Sequence, residues 1–350
     1  MPTELLDYTR KVIIFVAIVG LAFVLAKLSH VLVMVFGGVV LAAVLLTLTG
    51  LLRRVVPLPH GVALAVVLVL LIGGLSTLLA LFGAQAASEL ATLVDTMPAA
   101  AQSFQDWVDT TRLGPVIHEQ IEALRGNVNR LMGTAGAMAM SLTSGLLELF
   151  LVLVGGIYMA AQPQLYRKGV LKLVPRSVRL TTAEALDASG RALQMWLGGQ
   201  LVAMLLVGAL TGIALWMLGV PAAFALALIA FLLDFVPIIG PIVAAVPGIL
   251  LGFTVSPKIG LATLVVYIVI QQIESNLLQP LIQQRAVELP PALLLFSLLV
   301  FGSLQGFAGL LLAAPLTVVL YVLVKRLYVR ELLDTETAIP GESAADKAGH

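Results

Sequence analysis

The stretch Pro221–Gly252, PAAFALALIAFLLDFVPIIGPIVAAVPGILLG, places Asp234, Pro237, Gly240 and Pro241 in the middle of an otherwise apolar run. Proline has no amide hydrogen to give to a helix ladder and its ring clashes with the preceding turn. An anchor would need no such interruption. The spacing predicts two short helices joined by a break, a hairpin that crosses a membrane twice or dips in and returns. Further along, Pro291–Leu327 repeats the layout weakly. Its first part, PALLLFSLLVFGSLQGFAGLLLAAP, opens and closes on proline around Gly302, Gln305, Gly306 and Gly309. Helices broken at mid-membrane bring half-helix ends to a substrate or ion site.

Composition sets the environment around these hairpins. The 350 residues are 60% hydrophobic and 11% charged, with a mean hydropathy of +1.07, beyond what soluble chains carry. The fold class is therefore all-α, a polytopic helical membrane protein with two broken or re-entrant hairpins. The net charge of +1, with basic residues scattered over short connecting segments, argues against nucleic acid as a partner. With no cysteine, disulfides and thiolate sites are excluded. His30 and His118 lack liganding neighbours, so no metal site is expected, and no cofactor. The absence of GxxxxGK[ST], HExxH and GxSxG patterns makes ATP-driven transport and zincin-type proteolysis poor fits, and no nucleophile and base pair stands out to suggest an enzyme.

Residues 1–83 read as three spans: Val12–Ser29 and Val31–Leu52, expected as a tight antiparallel pair, then Gly61–Gly83. The opening MPTELLDYTRKVIIF has Arg10 and Lys11 before the apolar run and no small-residue cleavage site, which predicts a retained first span. Residues 84–133 mix acidic with apolar positions and predict amphipathic helices, interrupted near Pro98 and Gly114-Pro115, on or just above the membrane. Residues 134–161 are the fourth span and 162–196 a basic, mostly helical connector. Residues 197–327 form a core with the fifth span, Leu197–Leu218, a further span, Ile259–Leu278, and the hairpins 221–252 and 291–327. Residues 328–350 are expected to be a disordered tail. The connector holds six basic residues against Glu184 and Asp187, whereas residues 84–133 hold three against six acidic. The positive-inside rule then puts both termini, the Arg53 turn and the connector in the cytoplasm.

Polar residues at membrane depth are the candidate site. Asp234 must be paired, protonated or wet, since a lone carboxylate in hydrocarbon is costly. Pro237, Gly240 and Pro241 free backbone groups beside it. In YIVIQQIESNLLQPLIQQRAVELPP, the residues Gln271, Gln272, Glu274, Asn276 and Gln279 crowd the end of an apolar run. Helical spacing sets Gln272, Ser275, Asn276 and Gln279 near one face. That face either lines a watery route or glues helices together. Gln305 is a further contact candidate, and Glu148 is a possible partner of Lys27.

Four pieces in register carry a resemblance: WLGGQ at 196–200, FVPIIGPIVAAVP at 235–247, QQIESNLLQPLI at 271–282, and LPP followed by GSLQGFAGLLLAAPL up to Leu316. Together they resemble the AI-2E family of transporters, also called PerM-like permeases. The resemblance implies broken or re-entrant helices, a homo-oligomer (a pentamer), and a place in the bacterial cytoplasmic (inner) membrane. It marks Pro237, Gly240, Pro241, Glu274, Asn276, Pro280, Pro290, Gly306, Gly309 and Pro315. It also implies export of the furanone autoinducer-2 in quorum sensing, or antiport of Na+ or Li+ against protons. Gln283 and Gln284 stand where family members often have glycine.

The leading expectation is a secondary transporter or exporter of a small polar organic solute, autoinducer-2-like and proton coupled. Gln271, Gln272 and Asn276 would bind the solute, and Asp234 and Glu274 would carry charge. Two alternatives stay open: a Na+ or Li+/H+ antiporter, and a non-transporting oligomeric scaffold working through residues 84–133.

Overall fold

A computed structural model describes residues 3–110, 142–279 and 289–342, and within them every regular element is a helix. Helix α1, Thr3–Val55, is continuous over 53 residues. At 1.5 Å per residue that is about 80 Å. The expected antiparallel pair is thus a single rod. No glycine or proline stands near Ser29, His30 and Val31, and reversing a helix takes a short loop that the sequence does not supply.

Helix α2, His60–Asp109, passes through Pro98 without a break. The expected interruption there is absent because Leu93, Met97 and Ala100, on either side of it, are held in a buried cluster. The second expected break, at Gly114-Pro115, lies outside the described residues. Helix α3, Leu142–Ala161, turns by 91° at Gln162 into the short α4, Pro163–Lys172, whose first residue needs no amide donor.

Helix α5, Arg179–Met217, fuses most of the basic connector to the fifth span in one 39-residue helix. The first hairpin follows as α6, Ala223–Leu233, and α7, Ile239–Val255. Helix α8, Pro257–Ile273, is capped by the Ser256 hydroxyl and ends in a π-helical turn, Glu274–Leu278. Helix α9, Pro291–Leu323, is broken at Gly306, where φ is 60° and ψ −137°, and leads into a π-helical turn, Val324–Arg330. Among the described residues five helices are long and apolar enough to span a membrane, or six if α3 and α4 count as one bent span.

Small residues let the helices approach. Gly208 and Gly212 of α5 take Phe231 and Ala227 of α6, where an added Cβ would stand 2.8 Å from either side chain. Gly156 of α3 takes Leu41 of α1 in the same manner.

The two hairpins enter from opposite ends of α5. The first opens beside Leu215 and has its tip at Gln200, whose amide donates to the Asp234 carbonyl at 2.7 Å. In the second, Phe301 and Gly309 meet across the Gly306 break, although eight residues of straight helix would separate them by about 12 Å. Its return arm packs Ala314 and Val318 against Leu193 and Leu197, and ends with Arg326 on Glu184, so it opens toward Arg179. The hairpins meet near their tips, where Val236 and Ile239 of the first pack on Leu298 and Ala313 of the second.

The tail expected to be disordered is, as far as Glu342, a strap. Ile339 is buried among Ala188, Ala192 and Val322, and the Arg191 guanidinium donates to the Gly341 carbonyl at 2.5 Å. Gly341 sits at φ +79° against the Ala188 carbonyl, where no side chain would fit. Glu342 accepts from Arg330 at 2.5 Å and Arg326 at 3.4 Å. Apolar burial and paired charges outweigh the polar composition that suggested a solvated tail.

Candidate functional site

The break at the first hairpin's tip is built residue by residue. Helix α6 ends at Leu233, and the Ile239 amide donates to the Pro237 carbonyl at 2.8 Å, closing a γ-turn around Ile238. Ile238 is held at φ 71°, ψ −54°, a strained conformation for a β-branched residue. Gly240 then packs against the Leu233 carbonyl so closely that any Cβ would overlap it. The tip is fixed from outside by Gln200 and by Phe235 on the Trp196 ring, with centroids 6.1 Å apart. At the other end of α6, the Glu89 carboxylate accepts from the Ala225 amide at 3.0 Å, a tertiary cap delivered by α2.

Between α5, the two arms of this hairpin and α8 lies a cavity of about 320 Å³. Its polar lining is Thr211, Tyr267, Gln271 and Glu274; its apolar walls include Val207, Ala230, Pro241 and Leu264. Glu274 is buried, and its carboxylate is held by the Gln271 amide at 3.3 Å and by Gln279. Asp234 lies one turn beyond Ala230, is 1% exposed, and has no hydrogen-bond partner for either carboxylate oxygen. It sits at the tip of the hairpin whose two arms, through Ala230 and Pro241, line the cavity.

The polar face drawn from helical spacing divides in two. Of the expected face Gln272, Ser275, Asn276 and Gln279, Asn276 donates to Gln272 at 2.7 Å on the exposed side, while the π-helical turn Glu274–Leu278 carries Gln279 round to the Glu274 carboxylate; Gln271 and Glu274, three residues apart, face the cavity. Gln305 does not reach the cavity; it donates to the Ser29 hydroxyl at 2.7 Å and ties the second hairpin's tip to α1. Of the marked breaks, Pro241 lines the cavity, Pro290 precedes α9, Gly306 and Gly309 make the second tip, and Pro315 is buried in its return arm. Pro280, with Gln283 and Gln284, lies outside the described residues. Glu148 bonds His30 at 3.1 Å, not Lys27, and its side chain is 42% exposed.

A family model described as AI-2E family transporter matches residues 12–328. The chain belongs to the AI-2E transporter family. This AI-2E transporter is 31% identical over 320 residues to MT0215 of Mycobacterium tuberculosis, a match covering 87% of the chain and 85% of that protein. It is 34% identical over 166 residues to YrrI of Bacillus subtilis, 47% of each chain, so it spans about half the length of that relative. Over 188 residues it is 31% identical to TqsA of Escherichia coli, an AI-2 transport protein, 52% of each chain. It is accordingly a multi-pass membrane protein of a transporter family.

Sequence reasoning missed four residues of the candidate site. Thr211 and Tyr267 look like ordinary span residues, since one hydroxyl in an apolar run carries no periodic signal. Gln200 sits in the WLGGQ piece and Glu89 among scattered acids, and only the tertiary fold brings them to the ends of α6.

Proposed function

We propose that this AI-2E transporter is a secondary carrier that moves a small polar organic solute through the cavity beside the first hairpin. The observation that carries the reading is that cavity, with Gln271 and Glu274 on its wall and Asp234 buried beside it. A recess with a few polar groups at the tip of a broken helix is where carriers of other folds hold their cargo. Autoinducer-2, named for the relative TqsA, is one solute of the class. Movement of the hairpins against α5 opens the recess to alternate sides, and Asp234 and Glu274 exchange the coupling proton. Arg53 closes α1, Arg167 pairs with Asp187 and Arg326 with Glu184, so basic residues collect toward the end of the bundle where α5 begins, which supports a cytoplasmic location for that end and for the C-terminal strap, in a bacterial inner membrane. Because α1 is one rod ending at Arg53, Thr3 stands about 80 Å away at its far end, which counts against the expected cytoplasmic N-terminus. The family resemblance supports a homo-oligomer.

Proteoliposome uptake and efflux of autoinducer-2, and of Na+ and Li+, under imposed pH gradients tests the reading. Gradient-sensitive solute flux is expected, falling at least about tenfold in Asp234→Asn and Glu274→Gln. Cation-driven proton movement alone would select cation exchange. Solute flux unchanged in both variants would place the path elsewhere.

A further inference from the structure

Thr211 is fully buried on the cavity wall, and its hydroxyl has no hydrogen-bond partner. Threonines inside helices usually return the hydroxyl to the carbonyl four residues back, as Thr47, Thr182 and Thr317 do here at 2.7 to 2.8 Å. Thr211 departs from that habit and faces the recess. The Tyr267 hydroxyl on the facing helix is also unpartnered. Two orphaned hydroxyls in an apolar setting are unfavourable unless something else accepts or donates to them.

The charge around them has one sign. Glu274 is on the wall and Asp234 beside it, and no lysine, arginine or histidine lines the cavity among the described residues. A carboxylate at membrane depth calls for a positive partner. Among the described residues no group of three or more acids or histidines could hold a metal ion. Most of the wall is hydrocarbon, which a bare ion cannot use and a short alkyl body can.

We propose that the cavity binds a small organic cation, a protonated primary amine joined by a short hydrocarbon chain to a hydroxyl. Its ammonium donates to the Glu274 carboxylate; Tyr267 stands seven residues earlier on the same helical run, about 10 Å away, so the chain passes Val207 and Leu264 and brings the hydroxyl to Thr211 and Tyr267. At about 320 Å³ the space is at the small end of ligand pockets, which favours a compact amine over a drug-sized cation. The proposal rests on the reading of this cavity as the transport site and narrows its solute.

The test is calorimetric binding to the purified full chain in nanodiscs, with 4-hydroxybutylammonium, n-butylammonium, n-butanol and Na+ as probes. Saturable binding of 4-hydroxybutylammonium, tighter than that of n-butylammonium, is expected, weakened about tenfold or more by Glu274→Gln and several-fold by Thr211→Val. Thr211→Val is nearly isosteric and removes an unsatisfied hydroxyl, so it tests the site even if Glu274→Gln fails to fold. Equal binding of n-butanol, binding of Na+ alone, or 4-hydroxybutylammonium affinity unchanged in both variants overturns the proposal. Autoinducer-2 binding that is lost in Thr211→Val would also overturn the cationic class while keeping the cavity as the transport site. Unaltered flux in a cavity-filling Ala230→Trp variant would remove the transport-site reading itself.

Discussion

Gly240 and Ile238 carry opposite kinds of stress at the first hairpin's tip. Gly240 has no spare room, because a Cβ would overlap the rigid Leu233 carbonyl. Gly240→Ala is therefore expected to destabilise the protein by about 3 kcal/mol, at the upper end of overpacking costs, seen as a lower unfolding midpoint in detergent. Ile238 has the reverse problem, a backbone strained at φ 71°. Such strain costs about 1–3 kcal/mol, and the added flexibility of glycine in the unfolded chain takes back about 1. Ile238→Gly should raise the midpoint, and a lowered midpoint would show that the isoleucine side chain contributes more than the strain removes. Gly306 differs again: nothing crowds it, yet its φ and ψ suit only glycine.

Elements reveal what a sequence can and cannot state. Both hairpin breaks were legible, because proline and glycine act locally and leave a mark wherever a helix stops. Continuity was not legible: α1 reads as two spans only if each span must be about 20 residues long, and nothing local says that a helix will run on past a membrane. Pro98 shows the converse, a helix breaker overruled by packing on both of its sides. In the candidate site, the Glu274 region was legible by its crowding of amides, but the π-helical turn that parts Gln279 from Gln272 and Asn276 was not. The strap tests how far paired charge holds an element. Arg326 and Glu342 are 3% and 5% exposed, and removing one partner of a buried pair costs about 3–5 kcal/mol. Glu342→Ala should approach the low end, since Glu184 still faces Arg326, and should expose the strap to limited proteolysis without altering α6 and α7.

Over the whole molecule, two hairpins entering from opposite ends and touching flank to flank make a coupled pair: moving one repacks Val236 and Ile239 against Leu298 and Ala313. Because the chain has no cysteine, introduced pairs report cleanly. Oxidative or bifunctional cross-linking of Ser29→Cys with Gln305→Cys would lock the second tip to α1, and flux should stop and return on release of the link. Unchanged flux in the locked protein would show the second hairpin to be a static support. The strap, finally, imposes an order on biosynthesis. Arg326 is made before Glu342 by 16 residues, about 1–3 s at ribosomal rates of 5–20 residues per second. Glu184, made much earlier, is already in place in α5 when Arg326 leaves the ribosome, ahead of Glu342. The salt bridge to α5 can therefore act as a holding contact for the nascent end of α9, and the strap closes over a pair that translation has already set in place.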